Sequence, residues 1–305
     1  MLFCCIDIGS NAGRFLVTNV FENNQRVILE KLSLVRVPLR LGLDSFNDGI
    51  ISPEKTANLI NSMLAFRYLI EVYKPASFRA VATSALREAY NANDVIRKVK
   101  TETGFNLEII DGKNEAELIC SYQKLNPNVL TSTQIYIDVG GGSTEISIVH
   151  QGNPVESISF RIGTLRILNE AEIEREWFLL HNFLLELRKK YDQMECIGSG
   201  GNINKLCKLY GVKNSRVLSR RSLSQGLQEL SSYNLQERIE ILGLRHDRAD
   251  VIIPAAKIFL FVLKILRVKQ IGVPRVGLAD GVIHMLYLDY KNKHNSVLLS
   301  ENSTH

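Results

Sequence analysis

The sequence predicts an α/β protein with two sheets, arranged as two domains in tandem. Three observations carry this reading. The chain has 305 residues, which suits two domains at about 100–200 residues each. Strand-like runs come first, then helices alternating with strands, and the whole order then repeats. A unit of strand, Asp, glycine-rich turn and strand also occurs twice, with Asp7 and Asp138 131 residues apart.

The elements follow in order. Apolar and β-branched runs mark strands at Leu2–Ile8, Gly13–Phe21 and Val27–Val37. Ser52 as N-cap with Pro53 at the first helical position starts a helix that runs to about Tyr73. A strand at Phe78–Ala82 precedes a helix over Asp94–Thr103, which Gly104 ends. Leu107–Ile110 is a strand and Glu115–Gln123 a helix. The second round opens with strands at Gln134–Val139, Glu145–His150 and Pro154–Phe160. Helices follow over Ile173–Tyr191, Asn202–Tyr210, Leu235–Leu242 and Asp250–Val268, with strands at Glu195–Ile197 and Gln270–Val273. No Pro-rich or low-complexity linker separates the rounds. The expected division is 1–124 and 125–280, with a C-terminal helix near 281–292 and a polar tail over 293–305.

Composition excludes several classes. With 45% hydrophobic and 23% charged residues, the chain is neither disordered nor fibrous, nor a small disulfide scaffold. The most apolar long stretch, Val251–Val268, is interrupted by Lys257, Lys264 and Arg267. It reads as a core helix with snorkelling lysines, not a membrane span of roughly 20 apolar residues. The start Met1-Leu2-Phe3-Cys4-Cys5-Ile6 lacks a basic segment and is cut short by Asp7, so a buried strand is expected there and not a signal peptide. The five cysteines (Cys4, Cys5, Cys120, Cys196, Cys207) form no C-x-x-C pair and read as reduced thiols in a cytoplasmic protein. No membrane or nucleic-acid partner is expected. Net charge is +5, and the excess lies in residues 151–305, with 22 Lys and Arg against 16 Asp and Glu. That imbalance fits an ordinary basic surface or a groove for a polyanion.

The duplicated hairpins carry the chemistry. The first reads Ile6-Asp7-Ile8-Gly9-Ser10-Asn11, and the second Ile137-Asp138-Val139-Gly140-Gly141-Gly142-Ser143-Thr144. Glycines let a backbone turn sharply and approach a ligand, while successive N–H groups form an anion nest. Hydroxyls of Ser10, Ser143 and Thr144 add donors, and a strand-end Asp can hold a divalent cation. A single copy reads as a tight hairpin turn. Two copies at domain spacing read as a pair of loops gripping a phosphate chain and its metal.

These hairpins resemble the phosphate loops of the actin and sugar-kinase superfamily, whose domains contain ribonuclease-H-like sheets. More narrowly, the chain resembles the exopolyphosphatase / guanosine pentaphosphate phosphohydrolase (Ppx/GppA) family along nearly its whole length. Beyond the two hairpins, the matching blocks are Ala82–Ala89, Ile110–Ala116, Gly198-Ser199-Gly200-Gly201 and Arg248-Ala249-Asp250. The resemblance implies two ribonuclease-H-like (actin-like ATPase) domains, a cleft between them, and a C-terminal helix returning to the first. It also implies a homodimer without the helical extension of longer relatives.

Residue roles follow from the same resemblance. Glu115, directly before Ala116, matches the water-activating glutamate; alone, a Glu at a helix start is usually a dipole partner. Glu117 is its rival. Asp138 and Glu145 match residues serving the metal and the attacking water, and Asp7 is the corresponding acid on the first loop. The implied cofactor is Mg²⁺, with Mn²⁺ as the alternative. Phosphate contacts are expected from Gly9, Ser10, Asn11, Arg14, Arg87, Gly140, Gly141, Gly142, Ser143, Thr144 and Gly200. The turn Gly198–Gly201 either binds phosphate or merely redirects the chain. None of the six histidines has ligand spacing, and Trp177 reads as packing. The segment Gly277-Leu278-Ala279-Asp280-Gly281 departs from the relatives' Gly-Leu-Arg-Glu-Gly, which puts substrate details in question.

The expected function is removal of terminal orthophosphate from inorganic polyphosphate by in-line attack of water. The alternative is the same hydrolysis at the 5′ end of guanosine pentaphosphate. A small-molecule kinase or a non-hydrolytic phosphate sensor would share the hairpins without needing the water-activating acid.

Overall fold

A computed structural model of the protein describes residues 1–23, 26–121, 132–166 and 173–301. The first half contains β1 (Leu2–Ile8), β2 (Gly13–Asn23), β3 (Arg26–Val37), α1 (Leu41–Asn47), α2 (Pro53–Tyr73), β4 (Ser77–Ala82), α3 (Ser84–Glu88), α4 (Ala92–Thr103), β5 (Leu107–Ile109) and α5 (Gly112–Ser121). The second contains β6 (Thr133–Val139), β7 (Thr144–His150), β8 (Asn153–Phe160), α6 (Ile173–Lys190), β9 (Met194–Ser199), α7 (Gly201–Tyr210), β10 (Val217–Ser219) and α8 (Arg220–Ser232). It continues with α9 (Leu235–Glu240), α10 (His246–Ala249), α11 (Ile252–Ile265), β11 (Gln270–Gly272) and α12 (Leu278–Glu301).

The two sheets share one plan. The first has the order β3-β2-β1-β4-β5, with β1–β2–β3 antiparallel and β1, β4 and β5 parallel. The second repeats it as β8-β7-β6-β9-β11 and adds β10 antiparallel at the edge. The sequence duplication is therefore a duplication of topology, with a ribonuclease-H-like strand order in each half. The expected boundary near residue 124 lies outside the described residues.

Side-chain alternation explains why β1 is apolar on both faces. Cys4, Ile6 and Ile8 point into a core shared with Phe66 of α2 and Val99 of α4. Phe3 and Cys5 point the other way, onto Val282, Ile283 and Tyr287 of α12. The last helix thus returns to the first sheet. It is longer than the expected 281–292: the segment expected as a polar tail stays helical to Glu301, since no Gly or Pro interrupts it after Gly281. Residues 302–305 lie outside the described residues. Helix α2 begins as expected, with Ser52 Oγ accepting from Lys55 N at 3.3 Å and Pro53 at the start. Helix α11 is buried along most of its length, with Lys257 and Lys264 exposed. Among the described residues no helix is long and apolar enough to cross a membrane.

Helices α5 and α12 pass unusually close. A Cβ on Gly281 would lie 1.9 Å from the Leu118 carbonyl oxygen, and backbone cannot rotate aside as a side chain can. Gly281→Ala is expected to destabilise the protein by about 1–3 kcal/mol or more, the cost typical of overpacking. Denaturant unfolding monitored by circular dichroism checks this.

Candidate active site

Two hairpin turns meet at the cleft between the sheets. In the first, Gly9 N donates to Ala12 O at 3.1 Å; in the second, Gly140 N donates to Ser143 O at 2.9 Å. Each glycine-started turn thus closes with the same bond. They approach closely: a Cβ on Gly141 would stand 2.7 Å from Ser10 Cβ and 3.4 Å from Asn11 N. The segment after β8 braces the second turn, with Thr164 N and Leu165 N donating to the Gly140 and Gly141 carbonyls. Among the described residues, the amides of Ser10, Asn11, Gly141 and Gly142 have no hydrogen-bond partner within the protein.

A third turn closes the end of β9. Gly200 has φ +93°, and a Cβ there would lie 2.7 Å from Asp138 Oδ1, so glycine is required both by conformation and by space. It caps the N-terminus of α7, which opens on the same cavity.

The cavity brings together most of the expected residues. Asp7, Gly9, Ser10, Asn11, Arg14, Glu115, Asp138, Gly140, Gly141, Ser143 and Gly200 all line it. Glu145, Arg87, Gly142 and Thr144 do not. Glu145 sits beneath the second turn, opposite Asp138 in the β6–β7 register, and accepts from Ser143 Oγ at 2.5 Å and Ser159 Oγ at 2.9 Å. Arg87 donates to Ile110 O at 2.8 Å and stands 3.5 Å from Glu115 Oε2, so it holds the glutamate from behind. Gly142 is packed against Phe46.

The hydroxyls behave differently from expectation. Thr144 Oγ1 donates to Ile162 O at 2.6 Å and is fully buried. Ser143 Oγ is engaged with Glu145, and Ser10 Oγ with Ser84 Oγ at 2.8 Å. Short buried hydroxyls in tight turns find partners within the fold, leaving backbone amides as the open donors.

Sequence reasoning missed part of the wall. Arg36 and Arg248 line the cavity as well. The β2–β3 register sets Arg14 directly opposite Arg36, which pairs with Asp247. Arg248 crosses the start of α7, 2.8 Å from where a Gly201 Cβ would be. Burial, together with the Arg36 and Arg14 charges, pulls its guanidinium down to about 10.

Charge in the cavity is strongly polarised. Arg14 Nη1 pairs with Asp7 Oδ2 at 2.8 Å. Burial raises Glu115 well above the ordinary carboxyl range, and the Glu145 charge adds to this while Arg87 opposes it. Burial lifts Glu145 to about 7 and also raises Asp138, against the pull of Arg14. Among the described residues no three Asp, Glu, His or Cys side chains gather closely enough to ligate one ion. The acidic donors are all oxygens, which suits a hard cation taking one or two carboxylates and filling its shell with water and phosphate oxygens.

Known proteins agree with this architecture. A family model described as the Ppx/GppA phosphatase family matches residues 20–289. The chain is 24% identical to a putative exopolyphosphatase of Haemophilus influenzae, over 94% of this chain and 91% of that one. It is 23% identical to exopolyphosphatase 1 of Mycobacterium leprae, over 91% and 87%. In structure it is similar to an exopolyphosphatase from Cytophaga hutchinsonii, with a TM-score of 0.81 and 24% identity over 94% of this chain and 97% of that one. The Aquifex aeolicus Ppx/GppA family member gives 0.75 and 24%, over 95% and 98%. The fold is the two-domain actin-like ATPase fold that the hairpins implied. Since the family model spans most of the chain and the duplicated turns meet at one cleft, the protein belongs to the Ppx/GppA phosphatase family.

Proposed function

We propose that the cleft hydrolyses the terminal phosphoanhydride of inorganic polyphosphate, releasing orthophosphate. One observation carries this reading: in a member of this phosphatase family, a buried glutamate with raised proton affinity faces two glycine turns with open amides. Relatives similar to this chain in sequence and in structure are exopolyphosphatases, which supports the substrate.

In this reading the amides of Ser10, Asn11 and Gly141 grip the phosphate oxygens from both halves. Arg14, Arg36 and Arg248 bind the bridging and leaving side of the chain. Glu115 in its ionised form orients the attacking water and takes its proton as the new P–O bond forms, and burial strengthens that carboxylate as a base. Arg87 fixes the carboxyl in place. Asp138, with Asp7 or Glu145, would hold Mg²⁺ or Mn²⁺, which when bound neutralises charge developing on the phosphate oxygens. The free cysteines support a cytoplasmic location, and the family resemblance supports a homodimer.

Orthophosphate release with Mg²⁺ from long polyphosphate, short polyphosphate and guanosine pentaphosphate, run in parallel, tests the reading. Glu115→Gln is expected to reduce release from polyphosphate by about 10²–10⁴-fold, the usual contribution of a general base. Preference for guanosine pentaphosphate would move the substrate to the other known class of phosphoanhydride. Binding without release by the wild type would defeat the hydrolase reading.

The same residue controls stability. The ordinary value for a Glu carboxyl is 4.5, and burial raises Glu115 well above it. Above pH 4.5 this site therefore binds its proton more tightly in the folded than in the unfolded chain, and its contribution to stability falls as pH rises. In metal-free protein Glu115→Gln is expected to raise Tm at pH 8, with the gain shrinking toward pH 5. Thermal melts across that range, in chelator, check the sign.

A further inference from the structure

The positive excess of the second half is not absorbed by the cleft. On α8, Arg221, Ser224, Gln225 and Gln228 recur at the spacing of one helical face. That face and Leu260 and Lys264 of α11 form the two sides of a surface groove, and Arg220 and Lys269 complete it. Arg220 N donates to Lys269 O at 2.8 Å, which ties those two residues together. The lining holds four cations and no acid.

None of the four cations forms an ion pair among the described residues. Exposed cations elsewhere do, as in Arg97–Asp94 and Lys189–Glu186 at 2.7 Å each. Arg221, Lys264 and Lys269 are exposed. Like charges lining one groove repel each other, and a polyanion relieves that repulsion while releasing its own counterions. The lining has no aromatic ring on which a nucleic-acid base could stack. A polyanion without bases fits it better.

The groove lies away from the cleft. Strand β9 runs toward Ser199 and the cavity; β11, parallel to it, begins at the opposite end with Gln270, and antiparallel β10 ends there at Ser219. Arg220 and Lys269 adjoin those two strand ends. A short phosphate chain in the cleft cannot also occupy this groove, whereas a long one can fold back along the second domain.

We propose that the groove of Arg220, Arg221, Lys264 and Lys269 is a docking site for a distal stretch of long inorganic polyphosphate. The proposal rests on the reading of the cleft as a polyphosphate hydrolase. Tethering at two places raises the effective concentration of the chain end at the cleft, so affinity depends on chain length with no change in chemistry.

The test is the double variant Arg221→Glu/Lys264→Glu, both positions being exposed and remote from the cleft. KM for long polyphosphate is expected to rise at least about fivefold, and its salt dependence to flatten, with kcat and the KM for tripolyphosphate unchanged. In parallel, Glu115→Gln protein binds long polyphosphate without turnover, and adding the double change should weaken that binding to a similar degree. Equal effects on long and short substrates, or no effect on either, overturn the docking site. So does single-stranded RNA that displaces polyphosphate at matching concentration and loses its own binding in the variant. If wild type releases nothing from polyphosphate while groove-dependent binding persists, the reading of the cleft falls and the docking site stands.

Discussion

Close backbone contact at a few glycines holds the cleft together, and the charges inside it depend on that contact. Gly141 lets the second turn lie against Ser10, and Gly163 lies where a Cβ would meet the Gly141 oxygen at 2.4 Å. Gly112 opens α5 against β8, where a Cβ would be 2.4 Å from Ser159 Cβ. On its other side α5 is pressed by α12 at Gly281. The helix bearing Glu115 is therefore fixed between a strand of the second sheet and the last helix of the chain. A residue drawn from one half reaches the acids of the other because no side chain stands between them.

That closeness creates the electrostatic problem. Asp7, Glu115 and Glu145 are buried and Asp138 is half-buried, with Arg14 paired to Asp7 and Arg87 to Glu115. Burial then raises proton affinity at three of the four. Two sets of cross-domain contacts hold the halves in place against this strain. Arg36 and Arg40 pair with Asp247 and Asp250, and Asn11 Nδ2 donates to Asp247 O at 2.8 Å. Elsewhere Glu88 receives Arg161 at 2.7 Å and Arg166 at 2.5 Å. In the reading proposed above, a cation held at these carboxyls would offset part of that strain.

Much of this was legible in the sequence because it repeats or alternates. The hairpins showed themselves as a pattern twice written, and the β1 and α11 cores as continuous apolar runs. Helix α8 did not. Its segment Arg-Arg-Ser-Leu-Ser-Gln-Gly-Leu-Gln-Glu-Leu-Ser-Ser is rich in serine and has Gly226 in its middle, both poor for helix. It is helical because Leu223 and Leu230 enter the core and Gly226 receives the Tyr210 ring. The three-residue β10 has too little pattern to read. The fates of the Ser143 and Thr144 hydroxyls depend on Glu145 and Ile162, set by how β7 and β8 pair, which single-residue chemistry does not reveal. Arg36 was equally hidden: its place opposite Arg14 follows from the register of a long hairpin that slips once between Val17 and Thr18.

The arrangement of charge also bears on why a hydrolase of this kind would keep a basic surface apart from its cleft. In the cavity Arg14 is paired with Asp7 and Arg36 with Asp247, which leaves Arg248 as the lining cation without an ion pair among the described residues. Adding further cations there would lower Glu115's proton affinity and weaken it as a base. Affinity for a polyanion can rise without that penalty only at a distance, where screening separates the added charge from the carboxyls. The groove between α8 and α11 meets that condition, because it lies at the opposite end of the second sheet from Asp138. Strength of binding and strength of the base can then vary independently in one chain.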